Sequence, residues 1–340
     1  MSAPSAATGS HPSLSTYLTL ATVPLIWGTH FVALKVVYED YTIFGMLSMR
    51  YMLMIAVLLG AVWFFERDMR FALRDLPYLA IFSLFMVAIY QILFALAIRW
   101  ATAAESALLI STAPIFSAIT AAALGWERIS RRLAAGIALG FLGIFAVIYG
   151  GQTATAIPEH ATHVKGCLVM LVAAVMWAWY AVLARPLLAK YSPLKVTAYC
   201  QTLGGLAIIP IGLREAFTVT PQVVAELGAS GLFSHPFWVL FGLVYYAWFS
   251  GAYAFTVWYR GVRALGSART MLFQFCVPVV GLVAAIAIRG EYPTFLQWIG
   301  AAATLCGVVF AARRPASTPP ASETDTTDER EVLDAADAAS

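Results

Sequence analysis

The sequence predicts an all-α polytopic membrane protein in which ten transmembrane helices form two inverted five-helix repeats. Of its 340 residues, 61% are hydrophobic and only 11% are charged, whereas soluble globular proteins are about 25% charged. The apolar residues fall into spans that can cross a hydrocarbon core of about 30 Å as helices of about 20 residues. Residues of the first half also recur at matching positions in the second half.

Ten apolar spans are separated by short polar segments. None shows the period-two alternation of an outer-membrane barrel strand, so helices are the structures that satisfy their backbone in lipid. The predicted spans cover residues 17–37, 45–65, 76–98, 104–125, 132–150, 165–184, 196–213, 237–259, 267–288 and 294–312.

Polar tails flank these spans. Residues 1–16 are predicted to be a cytoplasmic tail. Residues 315–340 hold seven of the eighteen carboxylates among Pro, Ser, Thr and Ala, which is typical of a disordered acidic tail. The membrane domain is therefore predicted as repeat 1 over residues 17–150 and repeat 2 over residues 165–312.

The basic residues predict the orientation. With the N-terminus in the cytoplasm, fifteen of the 21 Lys and Arg residues fall in inside segments or at the inner ends of spans, and five fall outside or at outer ends. Arg50 alone lies more than two residues inside a span. Cytoplasmic loops are enriched in Lys and Arg, so we predict a multi-pass protein of the cytoplasmic (inner) membrane with both termini inside.

The internal repeat is visible at two offsets. The segment at Trp27 (WGTHFVALK) matches the segment at Trp177 (WAWYAVLAR) at an offset of 150 residues. Further along, six identities share an offset of 164, which indicates five spans in each half. We attribute the larger offset to a longer loop near residues 214–236. The six pairs are Arg99 with Arg263, Ala104 with Ala268, Pro114 with Pro278, Glu127 with Glu291, Gly136 with Gly300, and Gly143 with Gly307.

An odd number of spans in each half predicts that the halves enter the membrane in opposite directions. The charges agree, because Glu127 is followed by three arginines on the inside whereas Glu291 is followed by none on the outside. Inverted repeats are a signature of secondary transporters, which expose a central site alternately to the two sides of the membrane.

The motifs resemble those of the EamA-type family of the drug/metabolite transporter superfamily. That resemblance implies ten helices around a central cavity and transport of small molecules, often export of amino acids or related metabolites. Glu105 departs from the family pattern, which usually has a small or apolar residue there. The motifs lie in residues 27–35, 49–53, 103–114, 125–132 and 136–145, and in 177–185, 266–278 and 290–309 of the second half.

Aromatic and polar residues inside the spans are the predicted substrate-binding groups. Trp27 and His30 share one helix face, and Trp177 and Tyr180 occupy the matching positions of the second half. Gln91 and Gln274 are polar residues in the third and ninth spans. An aromatic wall with a few polar groups suits an organic solute, although the same residues could serve packing between helices.

Three ionisable residues leave alternatives open. His30 could carry a proton for coupling or could be a neutral ring bonded to a neighbouring helix. Arg50 could snorkel outward, pair with Glu39 or Asp40, or bind an anionic group of the substrate. Glu105 is expected to form a surface ion pair with Arg99. The alternative is a role in gating or in proton transfer.

Prolines and glycines indicate hinges and close packing. Pro114 and Pro278 lie inside matched spans, where each removes a backbone donor, so they are a predicted hinge pair or static bends. Gly136 and Gly140 form a small-residue face that could stabilise the fold or a homodimer.

The remaining sequence motifs, present and absent, limit the classes of function that this chain can have. His160 and His163 have HxxH spacing without a third ligand in the sequence nearby, so no metal is expected. No phosphate loop, nucleophile elbow or paired intramembrane carboxylates occur, which argues against an ATP-driven pump and against an intramembrane hydrolase. We expect neither an enzyme activity nor a cofactor. We expect a lipid-embedded exporter of small organic metabolites, with proton coupling open and no nucleic-acid partner. The alternatives are an uncoupled facilitator and a ligand sensor that does not transport.

Overall fold

The computed structural model describes residues 14–123, 131–152, 160–266, 270 and 272–312, and within these ranges the chain is helical with no strand. The predicted tail 315–340, most of the predicted tail 1–16 and the segment around Glu127 lie outside the described residues. The helices of the first half are α1 (Leu14–Val37), α2 (Ile43–Glu66), α3 (Leu73–Trp100), α4 (Ala103–Ile110), α5 (Ala113–Ala123) and α6 (Arg131–Gln152).

The described residues of the second half are also helical. A 3₁₀ turn, Leu272–Phe275, precedes α11. The helices are α7 (His160–Leu183), α8 (Arg185–Lys190), α9 (Pro193–Ser230), α10 (His235–Leu265), α11 (Cys276–Arg289) and α12 (Phe295–Ala312).

Six helical segments of the described ranges are long and apolar enough to cross a membrane, and four shorter ones are also apolar. The long ones are α1, α2, α3, α7 with α8, α9 and α10. Each of the ten predicted spans overlaps one of these ten segments. The chain is thus a polytopic all-helical membrane protein.

The loop predicted near residues 214–236 is wrong, because α9 continues to Ser230 as a 38-residue helix. The apolar run ends near Leu213, and polar residues such as Arg214 and Glu215 were interpreted as a loop. A change from apolar to polar side chains ends burial in lipid but does not break backbone hydrogen bonds. Gly231, with φ of +80°, is the residue at which the helix stops.

Helices α2 and α9 pack along their length and run antiparallel. At one end the backbone N–H of Thr42 donates to Glu215 Oε1 at 2.6 Å. At the other end the Ser192 hydroxyl donates to Glu66 Oε1 at 2.5 Å. Thr42 and Ser192 are the N-cap residues of α2 and α9, and they are separated by the same 150 residues as Trp27 and Trp177.

Helices α6 and α12 cross through glycines that leave no room for a side chain. A Cβ atom on Gly143 would lie 2.6 Å from the Gly300 carbonyl oxygen, and one on Gly307 would lie 2.6 Å from the Gly136 carbonyl oxygen. The earlier glycine of α6 therefore meets the later glycine of α12, so these helices are antiparallel. The glycine face predicted from the sequence lies inside the chain, between the two halves.

The helices near the centre are irregular. Residues Ser83–Ile89 of α3 and Tyr245–Tyr253 of α10 are π-helical. A turn separates α4 from α5 just before Pro114, and Pro278 lies in the first turn of α11 after the 3₁₀ turn. Irregular backbone at this depth is found where helices line a cavity, and π turns are frequent at functional sites.

Candidate functional site

A small cavity lies at the centre, where α1, α2, α3, α7, α10 and the start of α11 meet. Its volume open to water-sized spheres is about 30 Å³, room for roughly two or three waters. Both halves line it with aromatic rings and polar side chains. The rings include Trp27, Tyr90, Phe94, Trp177, Tyr246 and Phe255, and the polar residues are His30, Arg50, Gln91, Ser250 and Gln274.

The two predicted tryptophans meet at this cavity. Their ring centroids are 5.2 Å apart with the rings edge to face, an arrangement that aromatic pairs prefer. Trp27 Nε1 donates to the Ser250 carbonyl at 3.1 Å, whereas the buried Trp177 Nε1 has no hydrogen-bond partner among the described residues. The matched segments of the two halves are therefore in direct contact.

His30 is held by the same serine. Its Nδ1 lies 2.9 Å from the Ser250 hydroxyl, and its ring packs on Phe31 at 4.5 Å between centroids. His30 Nε2 has no described partner. Arg50 lines the same cavity, so a protonated His30 would place a second positive charge there.

Arg50 is the charged residue of the cavity lining. Its side chain is 1% exposed, and its guanidinium carbon lies 4.0 Å from the centroid of the Tyr246 ring. No ion pair of the described residues involves Arg50. It neither snorkels nor reaches the acidic loop, where Glu39 pairs with Arg289 and Asp40 with His235. The sequence signal for this position was a basic residue well inside a predicted span, away from both of its ends.

The two glutamines line the cavity, but Tyr180 does not. Gln91 Nε2 donates to the Tyr246 hydroxyl, and Gln274 Oε1 has no described partner. Tyr180 stacks on Tyr259 and on Trp177, with centroid distances of 5.6 Å and 5.1 Å, and so supports the tryptophan from behind. Pro114 and Pro278 lie in neighbouring helix breaks and do not line the cavity themselves.

Glu105 lies in a second polar cluster and does not form the surface ion pair expected with Arg99. It is 0% exposed, and Arg99 instead donates to the Tyr38 carbonyl. The Glu105 carboxylate is 2.9 Å from His163 Nε2 and accepts from Gln297 Nε2 at 2.7 Å. The sequence around Glu105 indicated only the start of a helix. It could not indicate the partners of Glu105, because His163 and Gln297 lie 58 and 192 residues away.

The inference that His163 has no third potential ligand nearby is also wrong. Glu105 and Cys167 bring donor atoms within 4.8 Å of one another and of His163, while the His160 side chain lies outside the described residues. The Glu105 oxygens accept from the backbone and hydroxyl of Thr102 and from Gln297, and they lie 2.9 Å from His163 Nε2. Hydrogen bonds hold this cluster together in the structure.

Known proteins resemble this chain over most of its length. A probable terminal-alkyne amino-acid exporter of Streptantibioticus cattleyicolor is 29% identical, over 86% of this chain and 94% of its own. An uncharacterized transporter of Archaeoglobus fulgidus is 27% identical, over 88% and 98%. A probable amino-acid metabolite efflux pump of Salmonella typhimurium is 26% identical, over 86% and 95%.

A solved structure and a family model also match this chain. One solved structure aligns with a TM-score of 0.59 over 88% of this chain and 97% of its own, at 19% identity, which shows a common fold. The model of the EamA-like transporter family matches twice, at residues 14–149 and 164–313. The resemblance drawn from the motifs is confirmed: the chain belongs to the EamA-like transporter family.

Proposed function

We propose that this transporter exports small organic metabolites that carry a carboxylate, such as amino acids or their derivatives, through the central cavity. The observation that carries the proposal is the buried guanidinium of Arg50, which has no described carboxylate partner and lies among aromatic rings from both halves. The names of the Streptantibioticus and Salmonella relatives support the same solute class.

Arg50 supplies a permanent positive charge where a solute can reach it. A charge buried without a partner is costly, and a carboxylate binds guanidinium through two parallel hydrogen bonds. The Tyr246 ring holds the guanidinium from one side at 4.0 Å, which fixes its position. A solute carboxylate would therefore replace the missing counter-charge.

The remaining lining suits the rest of an amino acid. Trp27, Trp177 and Phe255 offer apolar faces to a side chain. Gln274 Oε1 is a buried acceptor without a described partner, and such an acceptor can receive a bond from an ammonium group. These groups correspond to the few fixed polar contacts within an apolar wall that are typical of small-molecule sites.

The membrane arrangement that we propose is ten helices in two inverted halves, with both termini in the cytoplasm. Its support is the pairing of equivalent contacts: Thr42 with Glu215 and Ser192 with Glu66, and Gly143 with Gly300 and Gly307 with Gly136. Antiparallel contact between equivalent helices requires a two-fold axis perpendicular to them, which lies in the membrane plane. The two matches to one family model support the same halves.

Transport requires the cavity to widen. Its present 30 Å³ is far below the roughly 300–1,000 Å³ of pockets that hold drug-sized ligands. We propose that the halves rock against each other, with the helix breaks at Pro114 and Pro278 as hinges. The breaks lie beside Ile110 and Val277, which line the cavity, so bending there would move its walls.

The test is efflux from proteoliposomes that contain the full chain and a mixture of amino acids, nucleosides and sugars. Mass spectrometry identifies which solutes leave. We expect selective loss of carboxylate solutes, and no selective loss with the paired Trp27→Ala, Trp177→Ala variant. Equal leakage of all solutes would overturn the proposed selectivity. Retention of all solutes while ligands still bind would overturn transport and favour a sensor.

A further inference from the structure

Trp177 carries a polar atom that the contacts proposed for Arg50 and Gln274 leave unused. Its ring lines the central cavity, the residue is 2% exposed, and its Nε1 has no hydrogen-bond partner among the described residues. We propose, on the basis of the proposed export of amino acids, that Trp177 Nε1 donates to an acceptor on the side chain of the solute. The site then prefers amino acids with a hydroxyl or amide side chain to apolar ones of the same shape.

The surroundings of Trp177 hold its ring in place. Its ring centroid lies 5.2 Å from that of Trp27, 5.1 Å from that of Tyr180 and 5.6 Å from that of Trp258. A ring packed on several sides cannot turn without losing these contacts. The N–H is therefore a fixed donor, and a fixed donor loses little conformational freedom when it binds a solute.

A free N–H in a cavity selects among solutes because the solute excludes water from it. A buried N–H without an acceptor is costly, and a site that bonds one group of a solute rejects an analogue that lacks this group. A side chain that covers Trp177 Nε1 with a methyl group leaves the donor unpaired, whereas one that places an oxygen there satisfies it. Trp177 thereby acts as a specificity-determining residue.

The equivalent tryptophan of the first half has no donor to offer. Trp27 and Trp177 correspond at the offset of 150 residues, yet Trp27 Nε1 is already bonded to the Ser250 carbonyl at 3.1 Å. Of this equivalent pair, Trp177 is the residue whose N–H remains for a solute.

The carboxylate of the solute belongs to another part of the cavity lining. The rings that pack against the Arg50 guanidinium are those of Tyr51 and Tyr246. The rings that pack on Trp177 are those of Trp27, Tyr90, Tyr180, Phe255 and Trp258. Among the described residues the two sets share no ring, so a carboxylate on Arg50 leaves Trp177 Nε1 to a different group of the solute.

Equivalent positions of the two halves give the solute one orientation. Arg50 corresponds at the offset of 150 to Cys200, which is buried and does not belong to the cavity lining. Gln274 corresponds at the offset of 164 to Ile110, an apolar residue of the same lining. The positive charge thus comes from the first half, whereas the Gln274 acceptor and the Trp177 donor come from the second. A solute whose carboxylate is bound by the first half presents its other polar groups to the second.

Threonine and valine test the donor, because they have nearly the same shape and differ by a hydroxyl in place of a methyl group. Their binding to the purified full chain in detergent is measured by isothermal titration calorimetry, which does not depend on transport. We expect threonine to bind about tenfold or more tightly than valine, because valine leaves the N–H unpaired. Equal affinities, or binding of neither amino acid, would overturn the inference.

Trp177→Phe keeps an aromatic ring at this position and removes the N–H. We expect it to bring the two affinities to within about twofold of each other, mainly by weakening the binding of threonine. Trp27→Phe is the matched control, since it makes the same change where the N–H is already bonded, and it should keep the preference for threonine whatever its effect on each affinity. An unchanged preference with Trp177→Phe would reject this role, because a donor to the carboxylate affects both amino acids equally.

Two further arms keep the outcomes distinct. If Trp177→Phe does not fold, Trp177→Met takes its place, because methionine also lacks a donor. Efflux of threonine and valine from proteoliposomes is measured separately. A binding preference without efflux would reject the proposed transport but not the donor, whereas efflux of both amino acids with equal affinities would reject the donor alone.

Discussion

Arg50 allows fold and function to be separated at a single residue. Removing a buried charge that lacks a counter-charge relieves a desolvation penalty, so Arg50→Met should stabilise the protein by about 1–4 kcal/mol. The same change should abolish efflux of carboxylate solutes. Thermal unfolding followed by tryptophan fluorescence, together with the efflux assay, measures both effects.

Arg70→Met is the matched control for this change, because Arg70 is an exposed arginine of the loop after α2. It should change stability by no more than about 0.5 kcal/mol and leave efflux intact. Retained efflux of carboxylates by Arg50→Met would reject the role given to the guanidinium.

The two tryptophans should differ although they are equivalent in sequence. Trp27→Phe removes the donor to the Ser250 carbonyl, whereas Trp177→Phe removes an N–H that has no described partner. We expect Trp27→Phe to be the more destabilising by about 1 kcal/mol, the net value of a typical hydrogen bond. Denaturant titration in mixed micelles measures the free energy of unfolding, and equal values would contradict the assigned bond.

Single residues also show how far sequence reasoning reaches. Trp27, His30 and Trp177 could be placed at the cavity because helical spacing and the internal repeat put them on facing helices. The surroundings of Arg50 could not be derived, because Tyr246 lies 196 residues away and its ring position depends on the π turn of α10. Glu105 was misplaced for the same reason, since three distant helix ends must converge before its carboxylate is satisfied.

At the scale of elements, the crossing of α6 and α12 is the contact most sensitive to side-chain size. A Cβ on Gly143 would meet backbone atoms at 2.5–2.6 Å, and backbone cannot move aside as a flexible side chain can. Gly143→Ala should therefore destabilise the protein by about 1–3 kcal/mol.

Gly228→Ala on α9 serves as the control, because nothing lies within 4 Å of its added Cβ. Alanine is the better helix former, so this variant should gain about 0.5–1 kcal/mol. Both values come from the same unfolding experiment. A Gly143→Ala variant as stable as the parent would mean that α6 and α12 are further apart than described.

Composition alone predicted the starts of α2 and α9, at 45 and 196, to within three residues of their starts in the structure. Helices α2 and α9 begin at Thr42 and Ser192, whose side chains accept from the backbone three residues later. The far end of α9 was missed because hydropathy reports exposure to lipid rather than helix length. The end of a helix is set by a residue such as Gly231, which hydropathy does not weigh.

At the scale of the whole molecule, the inverted arrangement can be tested with two exposed positions. Arg70 lies in the loop after α2, and Ser230 ends α9. In a background without the four native cysteines, Arg70→Cys and Ser230→Cys should react with an impermeant maleimide from opposite sides of intact cells. Arg70 should react only after the cytoplasmic side is opened. Labelling of both from the same side would contradict the proposed topology.

The two matched hydrogen bonds at the ends of α2, Thr42 with Glu215 and Ser192 with Glu66 of α2, bear on the direction of transport. Thr42 at the start of α2 binds Glu215 of α9, and Ser192 at the start of α9 binds Glu66 of α2. Tilting one half against the other would therefore strain equivalent hydrogen bonds, whether the cavity opens to the outside or to the cytoplasm. In the proposed rocking of the halves, the states open to the two sides would then have similar energies, and the solute gradient would set the direction of net transport. A preferred direction of transport would have to come from residues that differ between the two halves, such as Glu105 and His163.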